Sequence, residues 1–278
     1  MPVLGKQARL AAVPTLLTLG NGVCGLGSIA MATLAREQLG ETSAIFYAGV
    51  LIYVGMAFDG LDGYVARLMN QTSRFGAELD SLCDAITFTV APVFIMLALV
   101  DAFPLRFLWG IGLLFMVCGL LRLARFNVEQ ATDDAHDWFR GLPTPAAAGT
   151  LASFAIALPA FRQLVADTMP EAPRHLGEGI IALTIYILPI LTVVLALLMV
   201  SRIRYPHILN QWTRGRRTFF NLVQLVFVVV ALITVHELAL PLLFCYYALG
   251  RPVAVWMRFV GIRVRRLFSF PHLPRKGV

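Results

Sequence analysis

Apolar residues in this chain run in long blocks, and short polar or basic clusters separate the blocks. A helix rises about 1.5 Å per residue, so about 20 apolar residues cross the roughly 30 Å of hydrocarbon in a bilayer. The pattern therefore predicts spans over residues 14–35, 43–66, 81–101, 104–124, 144–166, 178–200, 218–237 and 239–257. The cleanly apolar part of the last one ends at Gly250, and Arg251-Pro252 follows. The expected fold is all-α: a polytopic transmembrane bundle with a six-helix core in residues 1–200, and about two further spans with a basic tail in residues 201–278. From Arg251 the tail mixes Trp256, Phe259, Val260, Ile262, Leu267 and Phe268 with five arginines up to Arg266. That is the composition of an interfacial amphipathic helix, with an ordinary cytosolic tail as the alternative.

Composition supports the membrane reading: 58% of the 278 residues are apolar and 14% are charged. The net charge of +7 raises nucleic acid as a partner, but the basic residues flank the spans. With the N-terminus in the cytoplasm, nineteen of the 23 Lys and Arg residues fall inside, and four (Arg36, Arg106, Arg162 and Arg174) fall outside. This is the bias that orients membrane proteins, and anionic headgroups attract the same residues. The expected setting is thus a bacterial-type inner (cytoplasmic) membrane, with membrane lipids and no nucleic acid as partners. Cys24, Cys83, Cys118 and Cys245 have no paired spacing and suggest neither a disulfide framework nor a thiolate site. The five histidines are too dispersed for a ligand set. The first apolar run, after Lys6 and Arg9, is too long for a signal peptide. Gly20-Asn21-Gly22-Val23-Cys24-Gly25 formally fits a dinucleotide fingerprint, but no strand precedes it. A small-residue face of Gly20, Cys24, Gly27 and Ser28, suited to close helix contact, explains it better. Asn21 bonds either a nucleotide or another helix.

The chemistry concentrates between residues 59 and 84. Asp59 and Asp62 are three apart, and Asp80 and Asp84 are four apart. On helices, both spacings put the two carboxylates on one face. A short connection at about residues 69–75 lets the two acidic pairs converge where two apolar segments meet. Ionisable groups at membrane depth are costly and mark function. Carboxylates sharing a small volume need counter-charge, and hard divalent cations with oxygen ligands supply it.

Asp62-Gly63, Ala66-Arg67, Gly76, Asp80 and Asp84, with Asp59 three before Asp62, reproduce the spacing of a family signature. The stretch resembles the CDP-alcohol phosphatidyltransferase motif. Arg122-Leu123-Ala124-Arg125-Phe126-Asn127 and Phe139-Arg140-Gly141-Leu142-Pro143-Thr144-Pro145 resemble segments that mark the phosphatidylserine synthase branch. The likeness covers roughly residues 10–200 and leaves out the last two spans.

The resemblance implies CDP-diacylglycerol as donor, L-serine as acceptor, and phosphatidylserine and CMP as products. It implies two divalent ions, Mg2+ or Mn2+, held by Asp59, Asp62, Asp80 and Asp84, with Asp84 doubling as general base. The donor's nucleotide end would lie against Asn21, Asp62, Gly63, Ala66, Arg67 and Gly76, with hydroxyl contacts from Thr72 and Ser73. Arg67 would supply charge to a phosphate oxygen. The serine carboxylate needs a cation, and Arg122, Arg125 and Arg140 are the candidates. Positive-inside anchoring competes with that role for Arg122 and Arg125. The family likeness also implies a homodimer. Two other readings use the same aspartates: transfer to glycerol phosphate, inositol phosphate or choline, and a divalent-cation transporter that releases no CMP.

Overall fold

The computed structural model describes residues 2–37, 42–68, 74–130, 138–165, 171–206 and 236–268. Helix α1 covers Pro2–Glu37 and α2 covers Thr42–Leu68. Helix α3, Arg74–Asp84, passes through a π-helical turn at Ala85–Val90 into α4, Ala91–Leu99. Then come α5 (Leu105–Gln130), α6 (Thr144–Leu164), α7 (Glu171–Val200) and α8 (His236–Phe268). The short strands β1 (Trp138–Arg140) and β2 (Arg204–Pro206) pair antiparallel, with Phe139 opposite Tyr205.

Seven stretches among the described residues are long and apolar enough to cross a membrane. They run Val13–Glu37, Ser43–Val65, Phe75–Leu99, Leu105–Glu129, Thr144–Leu164, Arg174–Val200 and Glu237–Met257. They match the expected spans, except that 218–237 lies, up to residue 235, outside the described residues. The third rod begins at Phe75 rather than 81, because the polar turns carrying Asp80 belong to the same helix. Helix α8 runs unbroken past Arg251-Pro252 into the basic tail, so the tail's first half is helical as its composition suggests.

The most enclosed span is α6, which packs against α2, α4, α7 and α8. Ala147, Ala148, Ala152, Ala155 and Ala157 are buried along it, and small side chains let backbones approach where lipid gives no hydrophobic drive between helices. Helix α1 packs along α2, where Ser28 Oγ donates to the Ala48 carbonyl at 2.8 Å. Tyr53 on α2 donates to the Gly149 carbonyl on α6 at 2.8 Å, and its ring meets Phe244 of α8 edge-on at 5.4 Å. Leu16, Val23 and Leu26 on α1, with Tyr186, Ile190 and Leu197 on α7, stay exposed. In a bundle surrounded by acyl chains, such faces are expected.

Two local features place the site. Ala91 N–H bonds the Ile86 carbonyl, five residues back, which widens the turn at Ala85–Val90. Pro92 explains it: proline has no N–H to donate, and its ring crowds the carbonyl four positions earlier. The second feature is the entry to α6. Gly141 has φ of 83° and donates its N–H to the Ile203 carbonyl at 2.8 Å, while Leu142 N–H bonds the Leu198 carbonyl at 3.0 Å. A Cβ on Gly141 would lie 2.3 Å from the Met199 carbonyl oxygen, so only glycine fits. The entry to α6 is thereby fastened to the end of α7.

Candidate active site

Asp59 and Asp62 lie near the C-terminal end of α2, and Asp80 and Asp84 lie one turn apart on α3. The two helices bring one carboxylate oxygen each from Asp59, Asp62 and Asp80 within 4.8 Å of one another. Asp84 interacts electrostatically with all three. Three of the four aspartates expected to converge therefore meet, and Asp84 stands beside that group rather than within it.

The polar atoms of this cluster suit a bound cation. Among the described residues, Asp62 Oδ2 and Asp80 Oδ1 are buried with no hydrogen-bond partner. Asp62 as a whole is only 5% exposed. A buried carboxylate oxygen left unpaired is costly, and three that crowd together repel. A hard divalent ion would satisfy both conditions with an all-oxygen donor set. The donor set therefore fits the metal that the sequence pattern implied.

Asn21 is fully buried on α1. Its Nδ2 donates to Asp84 Oδ1 at 2.9 Å. This is a bond to another helix, one of the two roles left open for it. Thr87, in the wide turn, donates its hydroxyl to the Asn21 carbonyl at 2.9 Å. A Cβ on Gly25 would lie 2.8 Å from Thr87 Cα, and one on Gly55 would lie 2.7 Å from Thr87 Cγ2. These two glycines let the turn press against α1 and α2. Thr18, one turn before Asn21, is buried beside Asp62 and donates to the Pro14 carbonyl at 3.0 Å. Sequence reasoning missed Thr87; the polar residue three after Asp84 was its only signal.

Gly63 follows Asp62 on the same helix, and a Cβ there would meet no atom within 4 Å. Gly60 is equally open. Helix packing therefore does not explain either glycine, whereas the space beside them suits a ligand that must approach the backbone. Gly76 sits half-buried in the first turn of α3. Ala66 and Arg67 lie in the last turn of α2. Thr72 and Ser73 fall outside the described residues.

The three candidate arginines separate. Arg122 is buried, donates to Thr144 Oγ1 at 3.2 Å, lies over the Phe126 ring at 5.2 Å, and feels the charges of Asp84 and Asp59. Arg125 reaches the Val200 carbonyl at 3.4 Å, where a cation suits the C-terminal end of α7. Arg140 is exposed on β1, opposite Arg204. Only Arg122 among the three stands with the aspartates. One turn beyond it, Asn127 donates to Ser81 Oγ at 2.8 Å and ties α5 to the acidic helix.

A bundle of membrane-spanning helices with aspartates from two helices gathered beside a buried arginine defines an integral, multi-pass membrane protein with a cation-type acidic centre. The sequence profile of the CDP-alcohol phosphatidyltransferases matches residues 11–201, and the chain belongs to that family. Among curated proteins, it is similar to a CDP-diacylglycerol–serine O-phosphatidyltransferase of Helicobacter pylori. The two are 38% identical over 172 residues, which is 59% of this chain and 65% of that one. The protein of the same name from Bacillus subtilis is 32% identical over 201 residues, covering 70% of this chain and 90% of the relative. That from Saccharomyces cerevisiae is 41% identical over 135 residues, covering 46% and 48%. The chain thus matches 65% and 48% of the length of the Helicobacter and Saccharomyces relatives, and 90% of the Bacillus one.

Proposed function

We propose that this protein transfers a phosphatidyl group from CDP-diacylglycerol to L-serine, forming phosphatidylserine and releasing CMP. The observation that carries the proposal is the meeting of carboxylate oxygens from Asp59, Asp62 and Asp80 beside Asp84, within the family's signature. The shared name of the three relatives supports serine as the acceptor.

In this reading the serine hydroxyl oxygen forms a bond to the phosphorus that carries the diacylglycerol. The bond from that phosphorus to the bridging oxygen of the diphosphate breaks, and CMP leaves with the oxygen. Asp84 takes the hydroxyl proton. Asn21 holds Asp84 Oδ1 and so fixes the carboxylate's orientation. Asp59, Asp62, Asp80 and Asp84 would hold two divalent ions, Mg2+ or Mn2+, which supply charge neutralisation on the phosphate oxygens and the leaving group. Gly63 and Gly76 leave room for the diphosphate, Ala66 and Arg67 flank it, and Thr72 and Ser73 add hydroxyl donors. Arg122 is the arginine assigned to the serine carboxylate, because it alone of the three candidates stands beside the acids. Positioning and charge neutralisation provide most of the rate in such a displacement.

The catalytic core is assigned to residues 1–200, with 201–278 as an extension, in a homodimer of the inner membrane whose acidic face opens to the cytoplasm. The donor's acyl chains stay in the bilayer while its nucleotide reaches the acids. The test is CMP release from CDP-diacylglycerol in membranes, with and without L-serine and divalent metal, for the protein and for Asp84→Asn. Release that depends on serine and metal, and is lost in D84N, is expected. Equal release with glycerol phosphate or inositol phosphate would reassign the acceptor, and no release with any alcohol would remove the enzymatic reading.

A further inference from the structure

The wide turn at Ala85–Val90 carries a buried hydroxyl that no step of the proposed transfer employs. It belongs to Thr87, whose Oγ1 donates to the Asn21 carbonyl at 2.9 Å. In a helix that carbonyl already receives the amide four positions on, and its second lone pair takes the hydroxyl. Three glycines allow so close an approach. A Cβ on Gly25 would lie 2.5 Å from Thr87 Oγ1 and 3.0 Å from its amide nitrogen, and one on Gly22 would lie 2.9 Å from Cys83 Sγ. From the other side, a Cβ on Gly55 of α2 would lie 2.7 Å from Thr87 Cγ2 and 3.0 Å from Asn21 Oδ1. Thr87 is thus wedged between α1 and α2, at a level of α2 one turn before Asp59.

The side chain of Asn21 shows what this wedge holds. Its Nδ2 donates to Asp84 Oδ1 at 2.9 Å, while its Oδ1 is buried and has no partner among the described residues. An unpaired buried amide oxygen is costly, so the amide is set for the one bond it makes, to Asp84. A side chain with a single anchoring bond moves with its backbone, and Thr87 fixes that backbone. Asp84 and Thr87 are three apart on one rod, so the two bonds close a ring. It runs from carboxylate to amide, through Asn21 to its carbonyl, and back by the hydroxyl to the acidic helix.

We propose that Thr87 is a positioning residue for Asp84, acting through Asn21. This rests on the reading in which Asp84 takes the proton of the serine hydroxyl. A ring closed at both bonds restricts the carboxylate more than either bond alone. Thr89 provides the internal control: it is buried in the same turn, but its hydroxyl donates to the Ala85 carbonyl of its own helix.

The experiment uses the full chain in membranes and compares Thr87→Val, Thr87→Ser and Thr89→Val by CMP release at saturating metal. Valine keeps the shape of threonine and deletes the donor, whereas serine keeps the donor. The Asn21 carbonyl retains its helical bond throughout, so no buried acceptor is stranded. T87V should lower kcat about threefold to tenfold, the loss of one neutral hydrogen bond, with the KM for L-serine and for CDP-diacylglycerol within about twofold. T87S should restore most of that rate, and T89V should run as the unaltered protein. In an Asn21→Ala background the added Thr87→Val change should have a markedly smaller effect, because both act through the same carboxylate. A merely structural role predicts instead that T87V and T89V lose melting temperature alike, and that the losses add in the double variant. With D84N inactive, this inference alone is overturned by an unchanged kcat in T87V, by T87S as slow as T87V, by full additivity with N21A, or by T87V losing the fold rather than the rate. Asp84→Asn at full rate overturns the reading beneath it as well.

Discussion

The side-chain amide of Asn21 donates to Asp84 Oδ1 at 2.9 Å, joining α1 to α3 across 63 positions of sequence. The carbonyl of the same Asn21 receives the Thr87 hydroxyl at 2.9 Å. One residue therefore grips the acidic helix at two points, immediately before and within its wide turn. A carboxylate held by a fixed amide in a buried setting has one orientation rather than several, which suits the base role proposed for Asp84.

Asn21→Ala removes the donor and leaves Asp84 Oδ1 without it. Loss of a hydrogen bond to a charged group costs about 1.5–3 kcal/mol, so kcat for CMP release should fall about tenfold to a hundredfold. Asn21→Asp puts a fifth carboxylate against the four and should be worse at low metal. Assays over a range of Mg2+ and Mn2+ concentrations check both.

Two glycine substitutions should part company. A Cβ on Gly25 would lie 2.5 Å from Thr87 Oγ1 and 2.8 Å from its Cα, whereas one on Gly63 would meet no atom within 4 Å. Gly25→Ala should therefore destabilise by about 1–3 kcal/mol through overpacking. Gly63→Ala should leave stability unchanged or slightly higher, since alanine favours a helix by up to about 1 kcal/mol. Its penalty should appear in the KM for CDP-diacylglycerol. Thermal unfolding in detergent, alongside kinetics, separates the two.

Chelation of divalent ions should abolish activity and lower the melting temperature, because an ion that binds the folded state stabilises it by mass action. Asp80→Asn, which keeps the shape and removes one charge, should raise the metal concentration needed for half-maximal activity and shrink the melting-temperature gain on adding metal. An Asp80→Asn protein with an unchanged metal requirement would take Asp80 out of the ligand set.

Gly141→Ala forces a side chain into φ of 83° and to 2.3 Å from the Met199 carbonyl oxygen. A loss of about 1–3 kcal/mol is expected. Because that turn leads into Thr144 and hence to Arg122, the serine KM should rise before the donor KM does. Steady-state kinetics below the unfolding range checks the order.

Labelling from either side of the membrane checks orientation. Cys24, Cys83 and Cys118 are buried and Cys245 is half-buried, so replacing Cys245 leaves a low thiol background. Arg140→Cys should react with an impermeant maleimide only from the cytoplasmic side, and Arg106→Cys only from the opposite side.

The spans are legible from sequence because each is a continuous apolar run, and nothing else in a protein needs about 20 such residues in succession. Asp59, Asp62, Asp80 and Asp84 are equally legible, since spacings of three and four leave little choice of face on a helix. The roles of the arginines are not. Positive-inside anchoring and anion binding call for the same residue at the same place, and only the packing of α5 separates Arg122, turned inward to Thr144, from Arg125, turned to the end of α7. The wide turn at 85–90 lies in a mostly apolar run, where Pro92 and the two threonines Thr87 and Thr89 are its marks. The bond from the Tyr53 hydroxyl to the Gly149 carbonyl joins residues 96 positions apart, which no local pattern encodes.

The five-residue hydrogen bond from Ala91 to Ile86 gives the rod from Phe75 to Leu99 two separate rotational phases. Upstream, the phase is dictated by where Asp80 and Asp84 must face; downstream, by how Val93, Met96 and Leu97 nest among their neighbours. Trimming one residue from the wide turn would swing one half about 100° against the other. Catalytic aim and membrane anchorage would then no longer be satisfied together by a single straight helix.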